Sequence, residues 1–204
     1  MRQLPALFST DMVKALLQYR KNMTRRTKGL EKVNECPDEW IVEKSILDAF
    51  VGFVSFANKT RSEIIMCFAS YKKGDQIYVR ERFETETDGT VKFYAGNIEV
   101  ENNNAYRELT KWKPSIHMPK SAARIWLECT GVRCERLHDI TEADAIAEGI
   151  LKDDSKFMNY HTKKFEFING RYSFFSLWVK INGEDSYYLN PWVFIYEFKR
   201  IEKP

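Results

Sequence analysis

The chain has 204 residues, 44% of them hydrophobic, with 32 basic and 29 acidic side chains and a formal net charge of +3. This suits one large or two small packed domains and argues against disorder, while a net charge of +3 argues by itself neither for nor against a nucleic-acid partner, since the clear cases are far more basic. No apolar run reaches the length of a membrane span, and Pro5 and Asp11 interrupt any signal-peptide core, so no membrane partner and a cytoplasmic location are expected.

In chain order, Ser9 is placed to cap a helix from Thr10, with Met12, Val13, Leu16 and Leu17 at helical spacing and an end near Tyr19 to Lys21. From Lys14 to Lys28 six basic residues (Lys14, Arg20, Lys21, Arg25, Arg26, Lys28) occur with no acid, so positive charge is concentrated where the helix runs out. Such a segment can hold an anion, most often a phosphate. The window 45–58 carries Ile46, Leu47, Phe50, Val51, Phe53 and Val54; it fits a helix, although Val51 to Phe56 also alternates like a strand. Helix is the expectation there.

From Glu63 the pattern turns to β. Ile64 to Ala69 is a buried-strand run, residues 73–75 form a turn, and Gln76 to Phe83 alternates, with Ile77 and Val79 on one side and Tyr78, Arg80 and Arg82 on the other. Asp88-Gly89 predicts a hairpin, and residues 113–119 form a loop bounded by Pro114 and Pro119. Residues 122–137 read as the longest strand. Ile125, Leu127 and Cys129 share a face, yet the apolar phase moves to Val132 and Cys134 beyond Gly131, which predicts a β-bulge. Thr141 and Asp144 form a capping pair for a helix ending at Gly149. Asn169-Gly170 suggests a hairpin tip, Phe174, Leu177, Trp178 and Ile181 mark a helix stopped at Asn182-Gly183, and a last alternating strand starts at Trp192. The sum is an α+β domain whose mostly antiparallel, curved sheet forms a small barrel with short helices on its rims.

Four cysteines, at 36, 67, 129 and 134, form no CxxC pair. Cys129 and Cys134 on one strand would lie about 16 Å apart, too far to share a metal, so buried free thiols and no metal site or cofactor are expected.

Five blocks in order resemble the ASCH family, which has a PUA-like β-barrel, and its longer phage and prophage members in particular. The blocks are residues 8–26 with Lys21-Asn22-Met23-Thr24-Arg25-Arg26, 74–81, 113–125, 140–150 with Glu148-Gly149, and 190–200. The resemblance implies one domain over 1–204 with insertions near 29–62, 83–112 and 151–190. It also implies a cleft lined by the Lys/Thr/Arg element and the later glutamate. Family members are suspected to bind RNA or nucleotides, and some hydrolyse the amide of N4-acetylcytidine with a Lys, a Thr and a Glu; those positions fall on Lys21, Thr24 and Glu148. Two departures stand out: Tyr19 replaces a glycine of the family pattern, and Asn22 replaces a threonine.

In that chemistry Thr24 serves as nucleophile or positions a water. Lys21 acts as a base only if its pKa falls, a direction favoured by Arg20, Arg25 and Arg26. Glu148 either donates a proton or pairs with Lys21 and keeps it charged. Arg25, Arg26, Arg80 and His117 are the remaining candidate ligand contacts, Arg80 from a strand face and His117 from the proline-bounded loop. The plain alternative for Lys21 and Thr24 is an ordinary helix C-terminus, and for Glu148 a solvated residue beside a glycine cap. Three functions follow as expectations: a module binding RNA or a modified nucleoside or nucleotide, an amidohydrolase on an N-acylated pyrimidine nucleoside, and a phage-related accessory protein acting through protein contacts.

Overall fold

The computed structural model describes residues 1–46, 52–96 and 112–204, with the side chains of 45 and 46 left out. It is an α+β structure of mostly antiparallel strands in several sheets, with a few short helices.

The main sheet is built from β1 (Gln3–Leu7), β2 (Met23–Arg26), β6 (Gln76–Arg80), β9 (Trp126–Arg136) and β13 (Trp192–Ile201), in the order β1-β6-β9-β13-β2. β1 runs parallel to β6 and every other pairing is antiparallel. β13 carries the core: Val193, Phe194, Ile195 and Tyr196 are all fully buried, so both faces of the strand are covered. Residues of this size each contribute about 1.5–3 kcal/mol on burial, which makes this run a principal anchor of the fold. The phase change foreseen at Gly131 is present. Glu197 pairs with Gly131 but Phe198 pairs with Cys129, leaving Thr130 as the extra residue of a bulge.

The expected closed barrel is not found among the described residues. β1 and β2 are opposite edges of an open sheet, because β1 takes the outer side of β6 and β2 the outer side of β13. What crosses between them is a side chain: Arg26 donates to the Leu7 carbonyl at 2.8 Å.

The helix expected over 45–58 is also corrected. β3 (Trp40–Ile46) and β4 (Phe53–Asn58) form a three-stranded sheet with β5 (Ile64–Phe68), and residues 47–51 lie outside the described ones. Gly52, at φ +49°, begins no helix, and Phe56 locks β4 onto the main sheet through Trp192, with ring centroids 5.0 Å apart. The strand therefore prevailed over the helix, because Val54, Ser55, Phe56 and Ala57 are all buried and both faces of the short apolar run are covered. The Asp88-Gly89 hairpin forms as expected between β7 (Phe83–Thr85) and β8 (Val91–Phe93).

Helix α1 (Thr10–Leu17) buries Met12, Val13, Ala15 and Leu16, and ends slightly earlier than its sequence suggests. Helix α2 (Glu142–Ala147) is capped as expected, with Thr141 accepting from the Asp144 amide. Strands β10 (Lys152–Asp153), β11 (Lys156–Asn159) and β12 (Lys164–Phe167) form a third small sheet. Asn169-Gly170 is not a hairpin tip. Asn169 accepts from the Arg171 amide and caps helix α3 (Gly170–Asn182), since its side chain satisfies a free helical donor that a turn would leave to solvent. Helix α4 (Asp185–Tyr188) follows.

Candidate functional site

The site begins with the way α1 stops. Gln18 caps the helix and Tyr19 enters the left-handed region at φ +57°, the one backbone shape there that glycine adopts without cost. The exposed Tyr19 ring lies under Arg200 at 5.1 Å. The turn lets the Lys21 amide donate back to Ala15 O, while the Asn22 amide donates to Ala147 O at the end of α2. Lys21 Nζ then donates to Glu148 O at 2.8 Å and to Glu148 Oε2 at 2.7 Å. One short segment therefore caps the carbonyl end of a helix lying more than a hundred residues away, where a cation is favoured.

Gly149 makes this approach possible. Its φ is +88°, and a Cβ there would lie 2.8 Å from the Cβ atoms of both Ala15 and Lys21. The Glu-Gly pair is thus a packing requirement of the Lys21 contact as well as a helix stop.

Around Lys21 and Glu148 lies a buried ion network. Arg25 Nη1 reaches Glu148 Oε1 at 3.2 Å, and Arg25 Nη2 reaches Glu135 Oε1 at 2.8 Å and Asp144 Oδ2 at 2.9 Å. Arg133 closes it, donating to Asp144 at 2.6 Å and Glu197 at 2.5 Å. Lys21, Arg25 and Glu148 are each 4–5% exposed, a burial that charges tolerate only when paired and hydrogen-bonded. The Nε of Arg25 is buried with no partner among the described residues.

Burial lowers the Lys21 pKa; Glu148 opposes that shift, and Arg26 and Arg25 add to it. Arg20, expected to contribute, turns away to Gly149 O and Gln18. Burial alone would raise the Asp144 carboxyl, but Arg133 and Arg25 outweigh it and hold the group below its ordinary value. A neutral Lys21 would keep two N–H groups, enough for both bonds to Glu148, and would have its lone pair left over. A charged Lys21 is an anchor; a neutral one is a base.

This network forms one end of a cavity of about 470 Å³. Lys21, Thr24, Arg25, Arg26 and Glu148 all line it, so five of the seven candidate residues meet at one place. Thr24 is 8% exposed, and its hydroxyl makes no hydrogen bond to any described residue. Arg26 sits over the Phe8 ring at 5.0 Å. Arg80 and His117 are not among the lining residues. Arg80 donates to Met118 O at 2.7 Å, and His117 is exposed while Ser115 of the same loop reaches the cavity.

Sequence reasoning missed the opposite wall. Phe174, Leu177, Trp178 and Ile181 of α3 face the cavity together with Phe8 and Met12. Their i, i+3, i+4, i+7 spacing was visible but reads equally well as core. Asp144 was noticed only as a capping residue; Glu135 and Arg133 carried no local signal, because their roles depend on the β9–β13 register.

Among the described residues no group of three or more His, Cys, Asp or Glu side chains is placed to hold a metal ion, and no helix is long and apolar enough to cross a membrane. No protein-family model, no curated protein and no solved structure matches the chain.

Proposed function

We propose that this protein is an ASCH-like, PUA-related module that binds RNA or a modified nucleoside or nucleotide in the cleft at Lys21, Thr24 and Glu148. The observation that carries the reading is the convergence itself: Lys21, Thr24, Arg25, Arg26 and Glu148, chosen from sequence, line one cavity with a cationic side and an aromatic wall. A cavity of this size suits a small organic ligand, and polar groups at one end with apolar walls give orientation and contact area. The locked state of Glu148, held by both Lys21 and Arg25, favours binding over acid catalysis.

The second reading, an amidohydrolase acting on an N-acylated pyrimidine nucleoside, is favoured by one observation. The unpartnered Thr24 hydroxyl shares the cavity with a lysine whose pKa is lowered, the combination an activated nucleophile needs. Thr24→Val tests both readings, because it removes the hydroxyl and keeps the shape. Calorimetric titration with cytidine, N4-acetylcytidine and a short single-stranded RNA is expected to give binding that weakens in the variant. Chromatography of N4-acetylcytidine after incubation decides between the readings: cytidine released by wild type alone makes the protein a hydrolase, and binding without release makes it a reader. Absence of binding to all three compounds sinks the reading.

A further inference from the structure

The charges lining the cleft divide into two sets. Lys21 and Arg25 are neutralised inside by Glu148, Glu135 and Asp144. Arg26 and Lys28 line the same cavity and make no ion pair with any described residue. Four cationic residues line the cavity against one carboxylate, Glu148, which is already doubly bound. The uncompensated charge therefore sits at Arg26 and Lys28. Arg26 uses one donor on Leu7 O, which fixes its guanidinium over Phe8 and leaves other donors unused. The Thr24 hydroxyl, on the same strand, is unpartnered as well.

Resting on the nucleoside reading but narrowing it, we infer that the ligand carries a terminal phosphate monoester on an aromatic body. The phosphate lies against Arg26 and Lys28, and the ring lies against Phe174, Leu177 and Trp178. Two unpaired cations match a monoester, which carries close to two negative charges near neutral pH, better than a diester, which carries one. The apolar α3 wall accepts the face of a ring and offers no second anion site. A free nucleotide and the 5′-phosphorylated end of an RNA share this chemistry.

The test is calorimetric titration of the full chain with phenyl phosphate, cytidine, cytidine 5′-monophosphate, and a cytidine trinucleotide with and without a 5′-phosphate. In each cytidine pair the phosphorylated member is expected to bind about tenfold or more tightly, with an advantage that shrinks as salt rises. Arg26→Ala and Lys28→Ala, neither of which touches the buried network, are each expected to remove most of that advantage. An advantage only for the mononucleotide identifies a free nucleotide; an advantage in both pairs admits the RNA end. Equal binding within both pairs, or an advantage that survives the double variant, overturns the inference. If cytidine binds but gains nothing from phosphate, the inference falls and the nucleoside reading stands. If phenyl phosphate binds through Arg26 and Lys28 while no cytidine compound does, the nucleoside reading falls and the inference stands. No binding by any probe overturns both.

Discussion

The inner and outer ends of the cleft use the same residue types for opposite purposes. At the inner end, Lys21 and Arg25 are buried and every carboxylate near them is engaged. At the outer end, Arg26 and Lys28 line the cavity and make no direct ion pair with a described residue, although Lys28 lies near enough to Glu31 to help lower its pKa. Buried charges must be paired to be tolerated at all, so the inner set fixes geometry and gives up much of its freedom to react. The outer set is not locked into direct ion pairs with described residues, so its charge is far less compensated.

The comparison can be broken by mutation, and the largest effect is expected inside. Glu148→Ala leaves Lys21 and Arg25 short of a partner, and a loss of about 3–5 kcal/mol in urea unfolding is expected. A loss below about 1 kcal/mol would mean that the inner pair is solvated and that the two ends are alike. Gly149→Ala follows, at about 1–3 kcal/mol, from a positive φ together with the close approach to Ala15 and Lys21.

The alkaline limb of stability is next. Burial pushes the Cys129 thiol from 9.0 up to about 12, and the Tyr196 phenol from 10.0 up to about 12. Both groups keep their protons in the folded chain and lose them sooner in the unfolded one. Their contribution is therefore complete below pH 9 and drains away between 9 and about 12, at about 1.4 kcal/mol per group per pH unit. Lys21 has the opposite sign. Its lowered pKa lets the folded chain release a proton before the unfolded one does, so its share of stability rises with pH up to 10.5. Between pH 9 and 10.5 the loss from Cys129 therefore opposes the gain from Lys21, and urea midpoints in Cys129→Ala should fall less, or rise more, than in wild type. An unchanged slope in that variant would place the thiol in contact with solvent.

Thr24→Val should shift stability by no more than about 1 kcal/mol while affecting ligand binding, because the hydroxyl has no partner to lose. The smallest effect belongs to the rim. Arg26→Ala and Lys28→Ala should each change stability by about 0.5 kcal/mol or less, and a larger loss in both would assign the outer charges to the fold.

Much of the site was legible in the sequence because its markers are local. A run of bases without an acid, a glutamate before a glycine and a Thr-x-x-Asp cap are each visible within a few residues. The bulge near Gly131 was legible for the same reason: it shifts the apolar phase of a single strand. What stayed hidden depends on pairing between distant segments. Glu135 and Arg133 face Arg25 and Glu197 only in the observed β9–β13 register, and the α3 wall joins the cleft only through the packing of a segment expected as an insertion. The open sheet was missed because a bulge bends a strand but does not decide whether two edges meet. At 45–58, two periodicities fitted one short apolar window, and only the sheet beside it decided between them.

The strand order has a consequence for the timing of assembly. β2, which presents Thr24, Arg25 and Arg26, joins the main sheet through β13, and β13 is the last strand in chain order. While a ribosome is still making residues 27–191, the β2 edge has no strand to lie on, so the cleft is absent from every shorter nascent chain. If the cleft binds the ligand proposed above, binding should begin only after the segment containing β13 has emerged. A ligand added to truncated chains that end before Trp192 should have nothing to bind, and the same ligand added to the longer chain should speed its final collapse or slow its unfolding.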